Sequence, residues 1–170
     1  IEDPRFLTGE GTYIANLPMP GALHLTFVRS SMAHARLAGI DASEALSMPG
    51  VRAVWRAADI DLAPAGPANG MMNKAMLFPY LAIDTVRFVG DLVAIVVSED
   101  KTSGVDAAET VIVDYEPLEA VRDMDDSFSN RVLLHPDAET NVVLTFAARS
   151  NDDIFADCEV VVDLVIENQR

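Results

Sequence analysis

The sequence contains one cysteine, Cys158, and no apolar run long enough to cross a bilayer. A single thiol cannot form an intrachain disulfide or a thiolate metal cluster, which excludes both kinds of site within the chain. The longest apolar run, Leu92–Val97, has the length of one β-strand, whereas a transmembrane helix needs about 20 residues. Because the chain depends on no disulfide, it fits a reducing compartment, and we expect a cytoplasmic protein.

Basic residues are scarce as well. The 12 Lys and Arg residues are outnumbered by 27 Asp and Glu residues, so the formal net charge at pH 7 is −15. This charge repels phosphate backbones and anionic lipid headgroups, which argues against nucleic acid and membranes as partners. Hydrophobic residues make up 50% of the 170 residues, which is enough to form the core of about one domain.

The apolar pattern predicts a strand-rich α+β domain. Alternation in Ala22–Arg29 is typical of a half-buried strand, whereas Leu92–Val97 is apolar on both faces and indicates a central strand. Lys101–Thr110 is predicted to be a helix, and Asp41–Glu44 matches a capping box in which Asp41 begins another, shorter helix. Further strands are predicted at Arg36–Ile40, Val51–Trp55, Thr85–Phe88, Asp91–Ser98, Val111–Tyr115 and, in a second β-rich segment, Asn141–Arg149 and Val160–Glu167.

A long loop is predicted at Asp59–Phe78, where prolines and glycines interrupt the pattern. Loops of this length inside a domain are usually functional or mobile. Met71, Met72 and Met76 lie in it, and we expect another surface to cover these apolar side chains.

No set of residues supports an active site within the chain. His24, His34 and His135 lie on three separate elements without metal-ligand spacing, so we interpret His34 as a turn or interface residue and His135 as a loop anchor. Asp123–Asp126 lacks the glycine and glutamate of an EF-hand, and Asp123 or Asp125 is interpreted as a helix N-cap. No catalytic, cofactor-binding or metal-binding residue is therefore predicted.

Two glycines near the start, Gly9 and Gly11, raise the possibility of a phosphate-binding loop. Such a loop needs a strand before it, a helix after it and a third glycine, whereas Ile14 stands at the third position. This interpretation is rejected on sequence context.

Several stretches, in order, resemble one family. EDPRFLTGEGTYIANLPMPGALHLTFVRS opens the series, LAIDTVRFVGDLVAIVV lies in the middle and IENQR closes it, with AHARLAGIDASEALSMPGVRAVW, AAETVIVDYEPLEAV and LLHPDAETNVV between. They are similar to the N-terminal a/b hammerhead domain of molybdenum hydroxylase large subunits, the family of xanthine dehydrogenase, aldehyde oxidase and aerobic carbon monoxide dehydrogenase. The resemblance implies an a/b hammerhead with small mixed β-sheets and short packed helices over residues 1–170.

The resemblance also implies the chemistry of a complete protein. It implies oxidation or oxidative hydroxylation of an aldehyde, an N-heterocycle or carbon monoxide at a molybdenum–molybdopterin centre, with the cytosine dinucleotide form of the pterin expected. Electrons would leave through [2Fe-2S] clusters to FAD on partner subunits or domains. Residues 1–170 are then expected to be a structural fragment without an active site, and residues 141–170 to lead into a molybdopterin-binding domain. The alternative is a stand-alone protein-interaction module that reuses the fold.

Two segments are assigned roles on the same resemblance. Residues 1–21 are expected to form a docking arm, in which Asp3 and Arg5 can pair across Pro4, and Phe6 and Leu7 supply an apolar anchor. Phe78, Tyr80 and Leu81 precede the VRFVG strand, and we expect them to line the funnel by which substrate reaches molybdenum. The alternative for these three residues is simple packing against a neighbouring domain.

Overall fold

The computed structural model describes residues 3–14, 17–65, 70–145, 152–162, 164 and 166. Short helices alternate with two small sheets, which confirms the α+β fold class. In chain order the elements are α1 (Asp3–Leu7), β1 (His24–Arg29), β2 (Ala35–Asp41), α2 (Ser43–Ser47), β3 (Val51–Arg56), β4 (Thr85–Val86), β5 (Leu92–Ser98), α3 (Lys101–Thr110), β6 (Ile112–Pro117) and α4 (Met124–Ser129). Among the described residues, 3₁₀ turns include Ala57–Asp59, Pro136–Ala138 and Asp152–Phe155.

The first sheet has the strand order β1-β5-β3, with β5 in the centre. Val93, Ala94 and Val96 of β5 have no solvent exposure, so the prediction of a central strand at Leu92–Val97 is confirmed. A strand covered on both faces needs apolar side chains at successive positions, and this explains the loss of alternation there.

The second sheet has the order β4-β2-β6. The pairing of β2 with β6 shifts register between Leu37 and Gly39. Strand pairing in both sheets is antiparallel throughout the described residues, where mixed sheets were expected.

Helix α3 packs against the first sheet, and it matches the predicted bounds. Its N-cap is Asp100, whose side chain accepts a hydrogen bond from the Ser103 backbone N–H at 2.9 Å. Gly104 and Ala107 are buried on the face that meets the sheet. The absence of a side chain at Gly104 therefore sets how closely helix and sheet can approach.

Two local predictions are wrong in detail. Helix α2 has Ala42 as its N-cap, and Asp41 instead accepts the Ser43 N–H at 2.9 Å from outside the helix, so the capping box does not form. Strand β4 ends at Val86 because the Arg87 N–H donates to Asp91 Oδ2 at 3.0 Å, which removes it from the ladder.

The prediction of a second β-rich segment is wrong for the residues that the structure describes, while residues 146–149, 163, 165 and 167 of the two predicted strands lie outside them. The described residues of that segment, 141–145, 160–162, 164 and 166, pair with no strand. Val162, Leu164 and Ile166 are 82%, 78% and 79% exposed. An apolar sequence with high β-propensity forms a strand only where its backbone can hydrogen-bond to a neighbouring strand. No described strand pairs with these residues.

Candidate functional site

The end of the long loop is fixed by Phe78. Its backbone forms a bridge with Ala65, in which the Ala65 N–H donates to the Phe78 carbonyl at 2.9 Å and the Phe78 N–H returns a hydrogen bond at 3.4 Å. The Phe78 ring stacks on Phe88 with centroids 5.9 Å apart and planes at 25°. The ring remains 44% exposed, so one side of this aromatic pair faces outward.

Tyr80 and Leu81 border one small cavity of about 40 Å³, which Phe78 does not reach. Tyr80 is 56% exposed, whereas Leu81 is only 3% exposed. The structure thus separates the three funnel candidates: Phe78 and Tyr80 present apolar surface outward, and Leu81 packs inward beneath Tyr80. The role in a substrate funnel stays a prediction for all three.

The methionines of the long loop differ in exposure. Met71 is 67% exposed, while Met72 and Met76 are half-buried. Ile83 and Val89, which follow in sequence, are 69% and 66% exposed. Apolar exposure on this scale is typical of a surface that meets another protein or domain.

The amino-terminal segment is a short helix followed by a tight turn. Gly9 has φ +76°, a conformation that side chains rarely adopt. Phe6 contacts Tyr13 with ring centroids 6.0 Å apart, but Leu7 and Ile14 are 87% and 88% exposed. The predicted contact of Asp3 with Arg5 lies outside the described side chains.

The three histidines do not converge. The buried His34 donates its Nδ1–H to the Glu119 carbonyl at 2.7 Å, while its own carbonyl accepts the Leu118 N–H at 3.0 Å. It therefore holds the chain after β6 against β2, a more buried role than the predicted turn residue. His135 is the N-cap of the turn Pro136–Ala138, consistent with a loop anchor. His24 is exposed at the start of β1.

The acidic side chains of the described residues serve local structure. Asp123 caps α4 by accepting the Asp126 N–H at 2.8 Å, as predicted. Hydrogen bonds from the Arg56 side chain and backbone lower the pKa of Asp59 to about 2. No group of three or more His, Cys, Asp or Glu side chains in the described part of the chain could hold a metal ion. We therefore assign no metal-bound step to these residues.

Comparison with known proteins decides the family. Residues 8–119 match the family model of the aldehyde oxidase and xanthine dehydrogenase a/b hammerhead domain. The chain belongs to this family. The chain is 40% identical over 176 aligned residues to the nicotine 6-hydroxylase large subunit of Paenarthrobacter nicotinovorans, an alignment covering 99% of this chain and 21% of that protein.

Two further relatives agree. The chain is 43% identical over 126 residues to the carbon monoxide dehydrogenase large chain of Afipia carboxidovorans, covering 72% of this chain and 15% of the relative. It superimposes on a crystal structure of a Cu,Mo-CO dehydrogenase in the carbon monoxide reduced state with a TM-score of 0.76 at 35% identity, covering 94% and 22% of the two chains. The chain thus spans about a fifth of the length of the relatives it matches.

One feature of the chain was missed by sequence reasoning. A pocket of about 250 Å³ lies between the long loop and the turn at Pro136, and it brings Arg87 and His135 together. These residues are 48 positions apart in sequence, and no motif links them. Burial, and then the positive charge of Arg87, lower the pKa of His135 below its usual value, so its imidazole is neutral at pH 7. Among the described residues, no helix is both long enough and apolar enough to cross a membrane.

Proposed function

We propose that the chain is a supporting domain of a molybdenum-containing oxidoreductase large subunit and carries no reaction of its own. The observation that carries this proposal is the apolar exposure at both ends of a domain whose relatives are large subunits. Leu7 and Ile14 at one end, and Val162 and Ile166 at the other, are between 79% and 88% exposed. Side chains of this kind gain stability when a neighbouring polypeptide removes them from water.

In this proposal residues 1–21 form the docking arm and residues 141–170 lead into a molybdopterin-binding domain. The complete enzyme would oxidise or hydroxylate an aldehyde, an N-heterocycle or carbon monoxide, using molybdenum held by the cytosine dinucleotide form of molybdopterin. Partner subunits or domains would carry the [2Fe-2S] clusters and FAD. The high negative charge and the single cysteine support a cytoplasmic location without nucleic acid or membrane partners.

Binding to the rest of the large subunit tests the proposal. We expect residues 1–170 to form a stable complex with the separately produced polypeptide encoded after Arg170, measured by calorimetry or size-exclusion chromatography. Replacing the exposed arm residue Leu7 with Ser should weaken this complex, because the side chain would no longer bury apolar surface. Ile112→Ser, which removes a comparably sized exposed side chain from β6 (59% exposed), is the matched control. Absence of a complex would favour a stand-alone interaction module.

The funnel proposal has a separate test on the assembled enzyme. Tyr80→Ala should change the ratio of kcat/KM values between a bulky and a small substrate by on the order of tenfold, because it removes an aromatic wall from the path. Leu81→Ala is the companion variant, and its buried position predicts a larger loss of stability than of substrate preference. Unchanged preference in both variants would mean that these residues only pack against a neighbouring domain.

A further inference from the structure

Arg87 is a half-buried cation without a carboxylate partner in the described part of the chain. Its Nε donates to the Leu134 carbonyl at 2.8 Å and its Nη1 to the Thr85 carbonyl at 3.2 Å. By contrast, five other arginines form ion pairs with acidic side chains: Arg36, Arg52, Arg56, Arg122 and Arg131. Neutral carbonyls orient a guanidinium but leave its charge uncompensated, whereas charges withdrawn from water are normally paired.

The guanidinium is held in place before any ligand arrives. The Arg87 backbone N–H donates to Asp91, which is only 5% exposed. Leu134, which accepts from Nε, is fixed in turn because its N–H donates to Asn141 Oδ1 at 3.0 Å. No described residue accepts a hydrogen bond from the remaining nitrogen, Nη2. A group that is already ordered loses little conformational entropy when it binds a partner.

The polar lining of the pocket combines this cation with a neutral donor. His135 lines the pocket beside Arg87 and, being neutral at pH 7, has one ring N–H to donate. Asp84 and Asp137 also line it, but both are exposed and neither forms an ion pair with Arg87. Solvent and salt screen exposed carboxylates much more than they screen a half-buried group, so the inner end of the pocket favours an anion.

The remaining walls are apolar and stiff. Pro64, Pro79 and Pro136 contribute rings with restricted backbones, and Leu77 and Ile83 complete the surface. The volume of about 250 Å³ lies just below the usual range of roughly 300–1,000 Å³ for small-molecule sites. Such a space suits a single flat ring.

We propose that this pocket binds a carboxylate attached to a flat apolar group, with Arg87 Nη2 and His135 donating to the carboxylate oxygens. Guanidinium groups bind carboxylates through short, charge-assisted hydrogen bonds. The inference rests only on residues of this chain and does not depend on the redox assignment.

Titration of the 170-residue chain with sodium benzoate tests the inference, with NMR shifts and calorimetry as readouts. We expect saturable shifts of the Ile83 methyl and His135 ring signals, and a higher His135 pKa in the bound state. Benzamide, which has the same shape without the charge, should bind on the order of tenfold more weakly. Equal binding of benzoate and benzamide, or no saturable shift, would overturn the proposal.

Three variants keep the test specific. Arg87→Lys should weaken benzoate binding on the order of tenfold, because lysine lacks the planar fork. Ala75→Phe adds a bulky side chain at an exposed lining position and leaves Arg87 unmutated, and it should abolish binding by filling the pocket. Arg29→Lys is the matched control, since Arg29 also donates to a backbone carbonyl, that of Gly90, from an exposed position. A loss in Arg29→Lys equal to that in Arg87→Lys would contradict the assignment.

The carboxylate could be free in solution or belong to a side chain of an adjoining polypeptide. Repeating the titration with the complete large subunit separates these sources. Retained benzoate binding would assign the pocket to a free carboxylate, and lost binding would assign it to a side-chain carboxylate that already occupies it.

Discussion

Gly104→Val is expected to lower the free energy of unfolding by about 3 kcal/mol, which corresponds to roughly 10 °C in Tm for a domain of this size. A Cβ at this position would lie 2.5 Å from Ser98 Oγ and 2.6 Å from Thr26 Oγ1. Both hydroxyls belong to strands of the first sheet, and Ser98 has no solvent exposure. The substitution must therefore push α3 away from the sheet or displace both side chains.

The Ser98 hydroxyl has little freedom to move. It donates to the carbonyl of Asp100, the N-cap of α3, at 2.7 Å. Thermal and urea unfolding monitored by circular dichroism measure the effect. Gly70→Val is the matched control, because no atom lies within 4 Å of a Cβ at Gly70, and a change within about 0.5 kcal/mol is expected there. Equal stability of the two variants would show that α3 does not pack as closely as described.

Asn141→Ala is expected to lower the free energy of unfolding by about 2–4 kcal/mol, because the Asn141 side chain makes three hydrogen bonds to backbone groups. Its Oδ1 accepts the Leu134 N–H at 3.0 Å, and its Nδ2 donates to the Val132 carbonyl at 2.7 Å and the Ser127 carbonyl at 3.3 Å. Truncation leaves the partly buried Leu134 N–H and Val132 carbonyl without these hydrogen bonds, whereas the Ser127 carbonyl still accepts the Asn130 N–H at 3.2 Å. The loop between α4 and Asn141 should then open, which faster amide exchange at Leu134 would report.

Two further variants define the Asn141 prediction. Asn141→Asp keeps the acceptor for Leu134 but loses both donors, so we expect an intermediate loss of stability. Asn73→Ala removes a single exposed hydrogen bond, from the Ala75 N–H to Asn73 Oδ1 at 3.0 Å, and should cost no more than about 1 kcal/mol. If Asn141→Ala lowers the free energy of unfolding no more than Asn73→Ala does, the Asn141 side chain does not stabilise the loop.

Much of the fold could be predicted because the deciding interactions are local. The continuous apolar run Leu92–Val97 identified the central strand, and the Lys101–Thr110 helix was found with its exact bounds. The N-cap Asp123 was likewise evident from a short polar motif. Each of these depends on residues within one turn or one strand.

Predictions failed where a side-chain hydrogen bond or a distant segment decides the outcome. The Arg87 N–H donates to the Asp91 side chain instead of to a neighbouring strand, so β4 ends at Val86. The apolar pattern of Thr85–Phe88 does not indicate this hydrogen bond. Val160–Glu167 has a strand sequence, but its described residues have no paired neighbour. The Arg87–His135 pocket was missed for the same reason, since it forms only when distant segments meet.

The funnel candidates Phe78, Tyr80 and Leu81 combine a segment that the sequence identified with side-chain environments that it did not predict. The resemblance identified the segment Phe78–Leu81, but consecutive residues there have opposite environments. Tyr80 is 56% exposed and Leu81 only 3% exposed, although both border the same small cavity, so the family resemblance alone does not predict which side chain faces outward.

Turnover by the reassembled large subunit tests the central claim most directly. Residues 1–170 and the proposed remainder of the large subunit would be produced separately, then mixed with the proposed partner subunits and assayed for molybdenum-dependent substrate oxidation. The account predicts no turnover and no bound molybdenum for residues 1–170 alone, and restored turnover for the mixture. Turnover by residues 1–170 alone, or full activity of the remaining subunits without them, would contradict it.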